Sequence, residues 1–154
     1  MLPAQPNQSL IDGVTCLQLL AGSKHPLGVR EIARQLDLEP TRVHRLLRTL
    51  GHMGLLRQDA SRKFVPGPGV HVLAAQCLYG SRLIHAALPV LESLRGEKKF
   101  IVAMGVLWRD KVSYLYHAGP DTPAMQGLGR AALYPAVQSG LGLAMLALKT
   151  PAEL

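Results

Sequence analysis

Residues 29–57, VREIARQLDLEPTRVHRLLRTLGHMGLLR, decide the fold of this chain, because they read as two amphipathic helices joined by a tight turn. In the second helix Val43, Leu46, Leu47 and Leu50 recur at i, i+3, i+4 and i+7, the spacing of one helical stripe. At about 100° per residue, Thr41, Arg45, Arg48 and His52 fall on the opposite side, with Arg42 and His44 on the flanks. Residues 40–50 hold three arginines and no acid, whereas a merely solvated helix face mixes signs to gain i,i+4 pairs. The preceding helix carries its own stripe, Val29, Ile32, Ala33 and Leu36. Gly28 stands at its N-cap with Glu31 three residues on, and Asp37-Leu38 closes it, Asp being a residue that tolerates the left-handed backbone of a sharp turn. Pro40 suits the first position of the next helix, where its missing N–H is no loss. Helix, short turn, helix is the geometry that lets a second helix enter a DNA major groove. An outward arginine face on an ordinary soluble helix is the competing interpretation, and the surrounding context weighs against it.

After the pair comes a wing. Gly54 stops the helix, Leu55-Leu56-Arg57 is a short strand, Asp59-Ala60-Ser61 is turn chemistry, and Arg62-Lys63-Phe64-Val65 returns before Pro66-Gly67-Pro68-Gly69 ends the unit. Such a hairpin lays Arg62 and Lys63 along a phosphate backbone, unless they are ordinary solvated loop residues. Ahead of the pair, Ser9 is expected to cap a helix whose Leu10, Val14, Leu17 and Ala21 complete the small core.

The run EIARQL, the turn, VHRLLRTLGHMGLLRQD, the wing and PGPGV resemble the IclR family of bacterial transcriptional regulators. The likeness extends over about residues 9–150: Leu88 to Leu94 resembles the helix leading into the family's effector domain, Ile101 to Tyr116 its first hairpin, and Pro135 to Ala147 its first long helix. The resemblance implies double-stranded DNA as partner, a homo-oligomer with dimer contacts from the N-terminal and linker helices, and a small-molecule effector where the whole effector domain is present. That domain usually continues through further strands and a helix that close its pocket, beyond the point reached by Leu154 here. Val137 and Leu143 stand where the family often has a histidine and a lysine.

The expected fold class is α+β: a winged helix-turn-helix over residues 1–66, a linker helix over 67–80, and over 81–154 the start of a mixed α/β effector domain with an antiparallel hairpin. In the linker, Pro66-Gly67-Pro68-Gly69 is expected to break regular structure, after which Val70, Leu73, Ala74, Cys77 and Leu78 form a stripe that needs a partner helix, on its own chain or across a dimer. In the last segment Leu83, Ala87, Leu91 and Leu94 mark a helix, and Phe100 to Met104 and Val112 to Tyr116 flank a turn at Trp108 to Lys111. Two strands covered by a helix over Leu141 to Leu148 leave an edge and an apolar face for self-association.

Composition fits a polyanionic partner: the formal net charge is +7 and the sequence pI about 9.9. Residues 1–66 hold nine Lys/Arg against five Asp/Glu, which concentrates the charge on the winged unit. The expected DNA-binding residues are Thr41, Arg42, His44, Arg45, Arg48, Arg62 and Lys63, with Thr41, Arg42 and Arg45 in the turns that point into the groove. Cys16 and Cys77 lie in apolar patterns without metal spacing, so buried free thiols in a reducing cytoplasm are expected. No signal-peptide series opens the chain, and the apolar runs Phe100 to Leu107 and Leu141 to Leu148 fall short of the roughly 18 residues of a membrane helix.

Enzyme chemistry finds little support. Gly127-x-Gly129 and Gly140-x-Gly142 lack the third glycine and the βαβ setting of a nucleotide loop, the six histidines show no metal spacing, and no carboxylates pair. No catalytic residue, metal or cofactor is therefore expected. The sequence points to a dimeric, operator-binding regulator of the IclR type. The alternative is a truncated interaction protein that heterodimerises with a full-length regulator and modulates it.

Overall fold

Asn7 starts the first helix, α1 (Gln8–Gly22), by accepting the Leu10 N–H on its side chain at 3.1 Å. The computed structural model describes residues 4–97, 101–122, 127 and 133–150. The chain divides into two compact units, residues 1–80 and 81–154.

In the first unit α1 is followed by α2 (Val29–Leu36) and α3 (Pro40–His52), then by a two-stranded antiparallel wing, β1 (Leu56–Gln58) and β2 (Phe64–Pro66). The turn between α2 and α3 follows the sequence pattern closely. Gly28 is the N-cap of α2, Asp37 closes it at φ 52, and Pro40 opens α3. Asp37 thus supplies the left-handed residue that redirects the chain, and Pro40 fixes φ where no N–H is required. Cys16, Leu20, Leu27, Ile32, Ala33, Val43, Leu47, Leu56 and Phe64 form one core. Full burial of each larger aliphatic side chain is worth about 1.5–3 kcal/mol, so this cluster is the main support of α3. Leu27 and Phe64 also exchange backbone hydrogen bonds at 3.1 and 2.8 Å, tying the loop before α2 to the wing.

The cap of α1 is Asn7, whereas Ser9, expected to cap it, lies inside the helix. Other expectations for this unit are corrected as well. The inward face of α1 is Asp12, Gly13, Cys16 and Leu20, whereas Leu10 and Val14 are 65% and 44% exposed and Ala21 also points out. Of the expected stripe only Leu17 packs against the core. An acid therefore occupies a core-facing position, and the helix is apolar on both sides. Likewise the proline-glycine run does not break the chain. Pro66 ends β2, and Gly67 caps a helix, α4 (Pro68–Tyr79), that begins at Pro68. Proline is tolerated at both places because a strand end and a first helical turn leave the N–H unused.

Helix α4 buries none of its residues in this chain. Val72, Leu73 and Leu78 are about half exposed, and Cys77, expected to be buried, is exposed as well. Gly51, near the end of α3, offers a contrasting case: a methyl group there would meet only Leu56 O, at 3.9 Å. Gly51→Ala should therefore raise stability by about 0.5–1 kcal/mol, since an unstrained helical glycine loses more backbone entropy than alanine. A thermal melt of the two proteins checks this.

The second unit opens with α5 (Arg82–Glu97), which holds Pro89 in its interior, and continues into the hairpin β3 (Val102–Trp108) and β4 (Lys111–Ala118). The turn is Arg109-Asp110, with Arg109 at φ 56 and its guanidinium 4.9 Å from the centre of the Trp108 ring. Leu115 is an extra residue in the ladder, because Met104 faces Tyr116 while Gly105 faces Tyr114. The expected strand began at Phe100, which lies outside the described residues, and the described strand starts at Val102.

A third strand, β5 (Leu133–Pro135), pairs antiparallel with Lys111 to Ser113 of β4, giving the sheet order β3-β4-β5. It was not anticipated from the sequence. The long helix expected from Pro135 is shorter: Ala136–Gln138 is a 3-10 turn, Ser139 is the N-cap, and α6 runs Gly140–Ala147. Gly142 lies so close to the Ala136 carbonyl that no side chain fits there. Leu91, Val102, Tyr116 and Ala118 form this unit's core with Ala87, Leu88 and Met104 around them, while Leu83 and Leu94 of the expected α5 stripe stay 48% and 37% exposed. The buried Tyr116 hydroxyl donates to Glu92 Oε1 at 3.0 Å, and burial, reinforced by that carboxylate, pushes its pKa up.

Candidate nucleic-acid interface

The outer face of α3 is an open groove lined by Glu39, Thr41, Arg42, His44, Arg45, Arg48, Thr49 and His52. All but the half-buried Arg42 are exposed. Their inward neighbours Val43 and Leu47 are fully buried, so core packing fixes which way the polar side chains point. Among the described residues neither Arg45 nor Arg48 is held in an ion pair. A second groove lies between α3 and the wing, where His44 and Arg48 of the helix meet Arg57 and Gln58 of β1. Helix and wing thus present a mainly cationic surface, with Glu39 the one acid among the residues just named.

Arg42 is placed differently from the other six expected site residues. Its Nη2 lies 2.6 Å from Oδ2 of Asp12 on α1, with side-chain exposures of 34% and 6%. Asp12 Oδ1 in turn accepts from Gln8 Nε2 at 2.7 Å. The guanidinium is therefore occupied within the protein, at the junction of α1 with the first turn of α3. Sequence reasoning counted Arg42 among the DNA contacts and missed Asp12. The available signal was the i, i+4, i+8 series Asp12, Cys16, Leu20, which puts the acid on the same stripe as two core residues.

The wing tip is built by one carboxylate. Asp59 Oδ1 accepts the N–H groups of Ser61 and Lys63 at 2.9 and 3.0 Å and the Ser61 hydroxyl at 2.8 Å. Gln58 Nε2 donates to the Arg62 carbonyl at 3.1 Å, and Arg62 sits in the left-handed region at φ 60. Arg62 and Lys63 are exposed in this turn rather than within β2. The Ser61 hydroxyl, then the Lys63 and Ser61 N–H groups and the Lys63 charge, hold Asp59 below its ordinary value of 3.8 against a smaller opposing effect of desolvation. A depressed carboxylate contributes order above its unfolded pKa and loses it as pH falls through the folded one. Protection of the Ser61 and Lys63 amides, measured against their intrinsic exchange rates, should thus be high at neutral pH and fall below about pH 4. Asp59→Ala should lower the protection at every pH, and acid-insensitive protection in the parent would contradict this origin of the turn.

In the second unit Tyr114, His117, Tyr134, Gln138 and Ser139 line a hollow of about 310 Å³ at the start of α6. Tyr114 and Ser139 share a hydroxyl–hydroxyl hydrogen bond of 2.9 Å, and Tyr114 packs edge-on against both His117 and Tyr134. Of the segment from Gly127 to Gly140, residues 128–132 lie outside the described residues. No described helix is long and apolar enough to cross a membrane.

Three helices around one apolar core, a two-stranded wing and a second helix of the pair with a cationic outer face define a winged helix-turn-helix protein. Residues 10–60 match the family described as the IclR helix-turn-helix domain. The chain is 32% identical over 136 residues to the glycerol operon regulatory protein of Streptomyces coelicolor, covering 88% of this chain and 54% of that protein. An IclR family transcriptional regulator from Brucella abortus has the same fold with a TM-score of 0.82 and 28% identity, covering 99% of this chain and 59% of that one. An IclR homologue from Microbacterium hydrocarbonoxydans, solved in complex with 4-hydroxybenzoate, aligns with a TM-score of 0.71 and 26% identity over 94% of this chain and 60% of that one. The chain belongs to the IclR family. It spans about half the length of the curated relatives it matches.

Proposed function

We propose that this protein is a sequence-specific DNA-binding transcriptional regulator that meets operator DNA as a dimer, with α3 in the major groove and the wing on the adjacent backbone. The observation that carries this is the outer face of α3, where Thr41, His44, Arg45 and Arg48 are exposed on a helix oriented by buried Val43 and Leu47. Arginine matches guanine and phosphate geometry alike, and a threonine or histidine near the helix start suits base edges. Arg62 and Lys63 at the wing tip supply phosphate contacts. Dimerisation has support in the exposed apolar residues Leu10 and Val14 of α1 and Val72, Leu73 and Leu78 of α4, which the first unit leaves uncovered. Two such helices about one DNA turn apart would read a pseudo-palindrome.

The hollow beside Tyr114 and Ser139 suits a small effector with an aromatic ring and a polar substituent, the class to which the ligand of the Microbacterium homologue belongs. The cytoplasm is the compartment in which such a regulator works. The same uncovered α1 and α4 surfaces support a second reading, pairing with a longer relative that the chain modulates. Titration of fluorescent duplexes from the chain's own upstream region, in a salt series, tests the proposal. A saturable, sequence-selective complex with a steep salt dependence is expected. Weak, unselective binding together with a mixed species on sizing with a longer relative would favour the second reading.

A further inference from the structure

Asp12 is nearly excluded from solvent and lies on the core face of α1 between helices. A buried acid is a poor choice for stability alone, because a buried ion pair can usually be replaced by apolar residues without loss. This pair is not even fully satisfied. Arg42 Nη2 and Asp12 Oδ2 are in close charge contact at 2.6 Å, yet neither Asp12 Oδ2 nor the buried Arg42 Nε has an aligned hydrogen-bond partner. Its place in the fold is specific. Apolar packing of Val43, Leu46 and Leu47 holds α3 on the core, and Leu46 Cδ2 would lie 3.8 Å from a methyl group at Gly13 of α1. In the first turn of α3, which leads into His44 and Arg45, Pro40 and Thr41 are exposed, and Val43 is the residue that reaches the core. Arg42, between Thr41 and Val43, adds a charged tie from this turn to α1.

We propose that Asp12 and Arg42 form a positioning pair for DNA reading: Asp12 anchors the first turn of α3 and neutralises Arg42, so that Thr41, His44 and Arg45 read bases while Arg42 stays off the phosphates. This rests on the DNA-binding reading above. The consequence is a separation of affinity from selectivity. Freed from Asp12, Arg42 becomes one more mobile cation beside the groove, which strengthens unselective, salt-sensitive binding. At the same time the turn that meets the bases loses its tether.

The test uses the full 154-residue chain, an operator duplex chosen by selection from random sequence and an unrelated duplex of equal length. For Asp12→Ala the ratio of operator to unrelated affinity should fall by about tenfold, while the salt slope of the dimer steepens by about 1.8, the contribution of one added phosphate contact on each protomer. Arg42→Ala should lower the ratio similarly with an unchanged slope. Arg42→Lys should keep part of the ratio, and the exchanged pair Asp12→Arg with Arg42→Asp should recover more than either change alone. If Arg42→Ala instead flattens the slope by about 1.8, one contact on each protomer, and Asp12→Ala leaves the ratio intact, Arg42 is a phosphate contact and the proposal is overturned. Loss of both selective and unselective binding in step with the melting temperature would make the pair purely structural and overturn it equally. A parent chain that shows no selective complex, with Arg45→Ala indistinguishable from it, would instead remove the DNA reading, and the proposal with it.

Discussion

Arg45→Ala is expected to weaken operator binding by about 10- to 100-fold at fixed salt while changing stability by less than about 0.5 kcal/mol. Arg45 projects from the exposed face of α3 on the opposite side from the core residues Val43 and Leu47, and no ion pair among the described residues holds it. Truncation therefore removes a guanidinium without opening a cavity or orphaning a buried charge. The loss should be larger on the selected operator than on unrelated DNA, since a bidentate contact to one base is missing there and only a charge elsewhere. Arg45→Glu should be more severe, because it adds repulsion from the phosphates. Fluorescence anisotropy on both duplexes, with circular dichroism as the check on folding, separates these effects. An Arg45→Ala protein that binds the operator like the parent would show that α3 does not read it.

The second large effect is steric. Gly67→Ala should destabilise the first unit by about 2–3 kcal/mol, because a methyl group at this position has nowhere to go. It would collide with the Gly54 carbonyl oxygen and lie 3.0 and 3.1 Å from the carbonyl carbons of Leu56 and Leu55, all backbone atoms that cannot rotate away. The backbone at Gly67 is ordinary, with φ at −94, so the requirement is for space and not for a left-handed conformation. The same approach lets Gly67 N–H donate to Leu55 O at 2.8 Å and Gly69 N–H to Gly54 O at 2.9 Å, which fastens the start of α4 to the turn that ends α3. Urea unfolding measures the loss, with Gly51→Ala as the opposite-signed control. A Gly67→Ala protein as stable as the parent would mean that α4 is not fastened in this way.

The pair α2–α3 could be read in detail from the sequence because every level agreed: periodic apolar stripes, Gly28 and Pro40 at helix starts, and Asp37 at the left-handed turn. Helix α1 was misjudged in rotation because apolar residues ring it. Leu10 and Val14 looked like core from their type, while Asp12 looked like surface, and the pairing that reverses this lies 30 residues downstream at Arg42. Residue type alone could not tell Arg42 from Arg45. Both are cations in the first half of α3, and only the position of α1 decides which one is occupied. Helix α4 posed the converse problem: a stripe that demanded burial is exposed within the chain, so Cys77 followed it outward. Strand β5 spans only Leu133–Pro135, too short for alternation to register, and exists through its pairing with Lys111 to Ser113. The hollow near Ser139 was similarly out of reach, since it joins β4, β5 and the α6 N-cap through Tyr114, Tyr134 and Ser139.

Hydroxyl-radical footprinting of the chain on its selected operator tests the central claim most directly. The account predicts protected tracts on both strands arranged as two half-sites about 10 base pairs apart, or a multiple of that spacing, and their disappearance with Arg45→Ala at the same protein concentration. Protection that ignores sequence, or that survives Arg45→Ala unchanged, would contradict it.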